Sequence, residues 1–173
     1  SQIGLLNLAI GTGIPNIFFQ NPKIFDWCRG IWRFWLNQLN SDGSGAEVYP
    51  NERSFCATAF SALALMETQS ILKDQINISD RFCKIERTME WLSKNINWEV
   101  SNQTAASFAA LRAFAAITGE PKHYDWAKRR CDELLSMITD HGVFPEYGGF
   151  DAGYQSITLS VLNFAIDFEH DPI

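Results

Sequence analysis

Two stretches of this chain, Ala57 to Ala64 and Ala105 to Ala116, are small or aliphatic on several faces at once. A helix of that composition has to be covered on several sides, so it sits inside a layered structure rather than on its surface. A third apolar stretch runs through Ile157, Val161, Phe164 and Phe168. Three further patterns put their apolar residues at helical spacing and their charges elsewhere. The first is Ile24, Cys28, Ile31, Trp35 and Leu39, with Trp32 and Leu36 beside them. The second is Phe82, Ile85, Met89, Leu92 and Ile96, and the third is Tyr124, Ala127, Cys131, Leu134 and Ile138. These read as outer helices with one buried face.

Breakers separate the patterns. Asn40-Ser-Asp-Gly-Ser-Gly45, Gly119-Glu-Pro121 and Asp140-His-Gly142 each stop a helix, and Ser79-Asp80 signals a start. The predicted fold is therefore all-α, one domain over residues 1–173. A lead-in at 1–22, with Gly11, Gly13, Pro15 and Pro22, precedes three antiparallel helical hairpins at about 23–68, 79–118 and 122–169. Each hairpin pairs an outer helix with a doubly covered inner one. Units recurring every ~40–55 residues lie in the range of helical repeats. No segment alternates with a period of two, so no sheet is expected.

Charge and cysteine usage narrow the function classes. A net charge of −6 gives no basic footprint for nucleic acid. No unbroken run of about 18 apolar residues suggests a membrane span, and Ser1–Ile10 lacks the basic leader of a signal peptide. Ser1 in first position reads as a processed chain or a piece of a longer one. Cys28, Cys56, Cys83 and Cys131 are far apart and have no metal-ligand spacing. They read as free core thiols, which favours a reducing, cytoplasmic setting; neither a metal nor a cofactor is expected. The Asn-x-Ser/Thr matches at Asn77 and Asn102 would matter only in a secreted protein.

The loop from Val143 to Gln155 concentrates the chemistry. Glu146, Tyr147, Asp151, Tyr154 and Gln155 fall within it among three glycines and a proline, which predicts a shaped connector between helices. His141 adjoins it. The loop Ala46–Asn51 and the helix start after it hold Glu47, Tyr49, Glu52 and Arg53, and the third connector holds Asn102 and Gln103. Structural roles are open for the same residues. Glu52 can complement a helix dipole, Asp151 and Asn102 can cap helices, Arg53 can pair with Glu52 or Glu146, and Asp42-Gly43 reads as a turn.

Stacked hairpins with small inner helices resemble the α/α toroid. Trp35-Leu36-Asn-Gln38 followed by Asp42-Gly43-Ser44 resembles the repeat of terpenoid cyclases, although Gly45 stands where that repeat has tryptophan and the aspartate-rich motifs of those enzymes are absent. Other stretches resemble heparinase II/III-type polysaccharide lyases and their relatives in polysaccharide gene clusters. These are Glu47-Val-Tyr-Pro-Asn-Glu-Arg-Ser-Phe55 with Thr58-Ala59, Asn102-Gln103, and Phe144-Pro-Glu-Tyr-Gly-Gly-Phe-Asp-Ala-Gly-Tyr154. Such toroids usually have five to seven hairpins, so three imply a partial ring whose open helix faces favour self-association or a partner domain.

The resemblance implies that loops joining outer to inner helices gather at one rim. Glu146, Tyr147, Asp151 and Glu52 would then be the catalytic candidates. Glu47, Tyr49, Arg53, Asn102, Gln103, Tyr154 and Gln155 would hold substrate. Carboxylates, amides and aromatic rings are the groups that bind sugars. A carboxylate pair could hydrolyse a glycosidic bond, or a Tyr or His base could drive β-elimination from a uronate. Four acids against Arg53 alone lean toward a neutral sugar. A carbohydrate-processing domain is the leading expectation. A non-catalytic glycan-binding or assembly module and a terpenoid-cyclase-like protein are the alternatives.

Overall fold

The computed structural model describes residues 16–72 and 81–167, and every regular element among them is a helix. The six are α1 (Pro22–Gln38), α2 (Phe55–Leu72), α3 (Phe82–Lys94), α4 (Ser101–Thr118), α5 (Pro121–Ser136) and α6 (Ala152–Asp167). The expectations for the lead-in up to Pro15, for Asn77, for the Ser79-Asp80 start, and for Phe168 and His170 lie outside the described residues.

The alanine-rich helix α4 is the hub. Twelve of its 18 residues are buried, and it packs against α2, α5 and α6 and more lightly against α3. Alanine and serine make this possible, because only short side chains let backbones approach on so many sides at interior packing density. Phe114 and Leu111 fill the wider gaps, and Phe114 lies 4.5 Å from the His123 ring centre and 5.7 Å from Phe82.

Helix α1 is amphipathic in the ordinary sense, burying Ile24, Cys28, Trp32 and Leu36 at successive four-residue steps. Pro22 occupies its first turn, where a missing N–H costs nothing, and the Asn21 side chain accepts from the Lys23 amide. Helix α2 is long and apolar enough on average to cross a membrane, with a mean hydropathy of 1.3 over 18 residues, but half of it is buried in the protein core. Helix α6 departs from the expected double cover. Among its described side chains only Thr158 and Ala165 are buried, while Ile157, Leu159 and Ile166 are exposed. It leans on α4 alone for most of its backbone packing, so its other flanks stay open.

Basic side chains tie the ends of neighbouring helices together. From α3, Lys84 donates to the Leu36 carbonyl (3.3 Å) and Arg87 to that of Ser41 (3.0 Å). From α5, Arg129 donates to Ser93 (2.8 Å), and Arg130 to both Leu92 and Asn95 (2.6 Å each). Carbonyls at a helix C-terminus lack intrahelical partners and carry the negative end of the dipole, so cationic donors suit them. Arg130 is fully buried, and burial pulls its pKa down to about 10, which still leaves it charged at neutral pH.

Candidate functional site

The connector from α1 to α2 is built on a tight turn. Asp42 accepts from the Ser44 amide (3.0 Å) and hydroxyl (2.6 Å), and the Asn40 amide donates to the Ser44 carbonyl (2.9 Å). Gly43 takes φ +92°, and a Cβ there would come within 2.6–2.7 Å of the Arg87 and Thr88 backbone. Asp42-Gly43 is thus more than the plain turn expected: it is the point where the connector presses on α3. Thr88 seals it by donating to the Gly43 carbonyl at 2.8 Å.

The expected site residues of this connector are heavily engaged. Glu52 turns back and accepts from the amides of Glu47 (3.2 Å), Val48 (2.9 Å) and Tyr49 (3.3 Å). Three donors favour the charged form, so its carboxyl sits below the usual range. Arg53 pairs with neither Glu52 nor Glu146. Its Nε lies 2.5 Å from Asp42, whose pKa falls below normal because hydrogen bonds from Ser44 and Arg53 outweigh burial. Glu47 accepts from the Ser54 hydroxyl at 2.7 Å. Tyr49 is left exposed with Val48.

The α5–α6 connector is stitched to the start of α4. The Ser101 hydroxyl donates to the Pro145 carbonyl at 2.6 Å, and the Tyr147 amide donates to Glu99 at 2.7 Å. Glu146 is 5 % exposed. One of its oxygens accepts from the Asn102 amide (3.0 Å) and side chain (3.2 Å), while the other is buried without a partner. Burial raises its pKa above the ordinary carboxyl value against the pull of Asn102, and Asp151 nearby adds to the rise. Asn102 is therefore not the cap expected from the sequence but the second residue of α4, receiving its cap from the distant Glu146.

The rest of this connector follows the same economy. Asp151 caps α6, accepting from the Tyr154 amide at 2.8 Å. Gln155 clamps the Phe144 backbone from both sides, donating to its carbonyl and accepting from its amide. Gln103 accepts from Asn97 at 3.0 Å. Tyr147 is the exception. It is 69 % exposed and holds φ +51°, a left-handed conformation that costs a bulky residue on the order of 1 kcal/mol or more. Trp98 and Phe150 are exposed near it in the chain pairing, and Tyr154 is partly exposed.

The eleven expected site residues thus form two groups. Glu47, Tyr49, Glu52 and Arg53 bond within their own connector. Asn102, Glu146, Tyr147, Asp151, Tyr154 and Gln155 gather where α4 and α6 begin, with Gln103 one turn in. An open cleft of about 670 Å3 lies at the first group. Glu47, Tyr49 and Arg53 line it together with Asn37 and Gln38 from the end of α1, Asn40 from the breaker and Asn51 from the loop Ala46–Asn51. Asparagine is common in turns for backbone reasons, so its side chains carried no separate signal. Trp98 and Phe150 were missed likewise, because an aromatic in a loop looks the same in sequence whether it is packed or exposed.

Among the described residues, no group of three His, Cys, Asp or Glu side chains could hold a metal ion. No family model matches the chain, and no curated protein or solved structure is significantly similar to it.

Proposed function

We propose that this chain is a glycan-recognising domain of the α/α-toroid kind that binds a poly- or oligosaccharide at the α1–α2 connector. The cleft of about 670 Å3 carries this reading. Its volume suits a small ligand, and its lining of amides, one carboxylate, one guanidinium and the Tyr49 ring can bond hydroxyls and cover an apolar sugar face. Arg53 is already paired with Asp42, so Glu47 leaves the lining slightly acidic, which favours a neutral sugar over a polyuronate.

Matching registers support the toroid reading. Leu36, Leu92 and Leu134 are fully buried, each two residues before the end of α1, α3 and α5. Five residues before the second and third of them stand Arg87 and Arg129, which donate respectively to Ser41 in the turn beyond α1 and to Ser93 in the last turn of α3. The turn Asn40–Ser44 recurs as Thr139–Val143, with Gly142 at φ +74° in the place of Gly43 and the Thr139 amide donating to Val143 at 3.0 Å. Equivalent helices with equivalent turns would bring their connectors to one rim.

A second reading, catalysis on the bound sugar, draws on Glu146. A buried carboxyl with one unbonded oxygen and a raised pKa is the form a general acid takes. It is the weaker reading, because Glu52 and Asp151, the other acids, are occupied by backbone amides.

One experiment separates the two. The chain is titrated with neutral and uronate oligosaccharides by calorimetry, and the same mixtures are assayed for new reducing ends and unsaturated products. Tyr49→Ala is expected to weaken binding about tenfold, the loss of ~1.4 kcal/mol of ring contact, with an unchanged circular dichroism spectrum. Turnover that Glu146→Gln abolishes would promote the catalytic reading, and no binding to any oligosaccharide would sink both.

A further inference from the structure

A second, smaller cavity of about 140 Å3 lies where the turn after α1 meets α3. Leu39, Asn40, Ser41 and Gly43 line it from the turn, and Lys84 and Arg87 line it from α3. The two bases stand three residues apart, so they share one side of the helix. Gly43 lets the turn come this close, since a Cβ there would meet the Arg87 and Thr88 backbone, and the Thr88 hydroxyl holds it at 2.8 Å. The acids that would ordinarily neutralise these bases are committed elsewhere. On α3, Glu86 pairs with Lys122 and Glu90 with Lys94, at 2.5 Å each. In the turn, Asp42 accepts from the Ser44 hydroxyl at 2.6 Å and lies 2.5 Å from the Arg53 Nε. Among the described residues neither Lys84 nor Arg87 has an ion-pair partner. Lys84 donates to the Leu36 carbonyl at 3.3 Å and Arg87 to that of Ser41 at 3.0 Å. An ammonium has three N–H donors and a guanidinium five, so most of their donors are left over. The C-terminal end of α1 contributes about −0.5 of an elementary charge, against two full positive ones.

We propose that this cavity binds one tetrahedral oxyanion, a sulfate or a phosphate group, held by Lys84 and Arg87. A guanidinium offers two parallel N–H groups to two oxygens, and an ammonium adds a contact to a further one. A terminal phosphate presents three strong acceptor oxygens, enough to engage both side chains at once. A carboxylate would spend both of its oxygens on the arginine alone. The volume is well under the ~300–1,000 Å3 of sites that take whole small molecules, so it suits one compact group. The cavity shares Leu39, Asn40 and Ser41 with the larger cleft beside it. The anion can therefore be free in solution or be an ester carried by a sugar in that cleft. A sugar of this kind keeps its neutral ring against Tyr49 and the amides and places its one charged group beside α3. The free anion is independent of the glycan reading, whereas the sugar-borne one rests on it.

Nuclear magnetic resonance on the whole isotope-labelled chain tests it. The chain is titrated in turn with inorganic sulfate, inorganic phosphate, glucose sulfate and glucose phosphate, with chloride holding the ionic strength constant. Saturable shifts of the Ser41 and Gly43 amides are expected. Lys84→Gln should weaken binding about tenfold, the loss of one charge-assisted hydrogen bond, while amides away from the cavity keep their positions. Arg87→Lys, which keeps the charge and removes the planar fork, should weaken it as well. Esters that bind more tightly than the inorganic anions mark the ligand as sugar-borne. Esters that bind no more tightly mark it as a free anion, and both results support the site. No saturable shift at the cavity with any of the four anions overturns the proposal, and so does binding that survives Lys84→Gln and Arg87→Lys alike. The inorganic arms contain no sugar, so their outcome is separate from that of the oligosaccharide titrations.

Discussion

Glu67 lies partly buried on α2, and burial pushes its carboxyl up to about 7 from an ordinary 4.5. A folded-state pKa above the unfolded one means that the native state holds its proton more tightly. The stability this brings is complete below about pH 4.5 and is lost as pH rises through about 7. Glu67→Gln should therefore raise the melting temperature at pH 8 and leave it nearly unchanged at pH 4. An equal shift at both values would show that the carboxyl does not feel its burial. The residue scale is also where sequence reading reaches least far. Glu146, Asp151 and Glu52 stand out in the sequence as acids in shaped loops, but the partners they find are mainly backbone amides. A backbone amide has no letter in the sequence, so the difference between a reactive carboxyl and a loop fastener could not be read there. Arg53 shows the same limit, since Asp42, Glu47 and Glu52 were all within its reach along the chain.

At the scale of elements, the helices were readable because their periods differ. Small residues on several faces marked α2 and α4, and one-sided stripes marked α1, α3 and α5. The same logic overreached at α6, whose apolar residues promised cover that its neighbours do not provide. The contact of the α1–α2 connector with α3 was hidden, because Gly43 looks like any turn glycine until α3 is laid against it. Gly43→Ala should destabilise the fold by about 2–3 kcal/mol in denaturant titrations. It combines an unfavourable φ with a Cβ less than 3 Å from helix backbone that cannot give way. A loss below about 0.5 kcal/mol would mean that the connector can lift off α3 freely.

Across the whole molecule, α4 is the axis on which stability is shared. Because α2, α5 and α6 all rest on it, its amides should exchange with solvent only through global unfolding. The amides of α6, open on most sides, should exchange through smaller openings. Native-state hydrogen exchange in low denaturant would show two isotherms that merge only near the unfolding midpoint. If α4 exchanged faster than α6, the central role assigned to it would be wrong. The carboxylate at the head of this axis also sets a timetable. Glu146 lies 44 residues beyond Asn102, so a chain growing from its N-terminus makes the central helix well before the group that completes it. Until Glu146 has been made, the Asn102 amide in the first turn of α4 lacks its carboxyl partner, and the folding of this helix waits on a later connector.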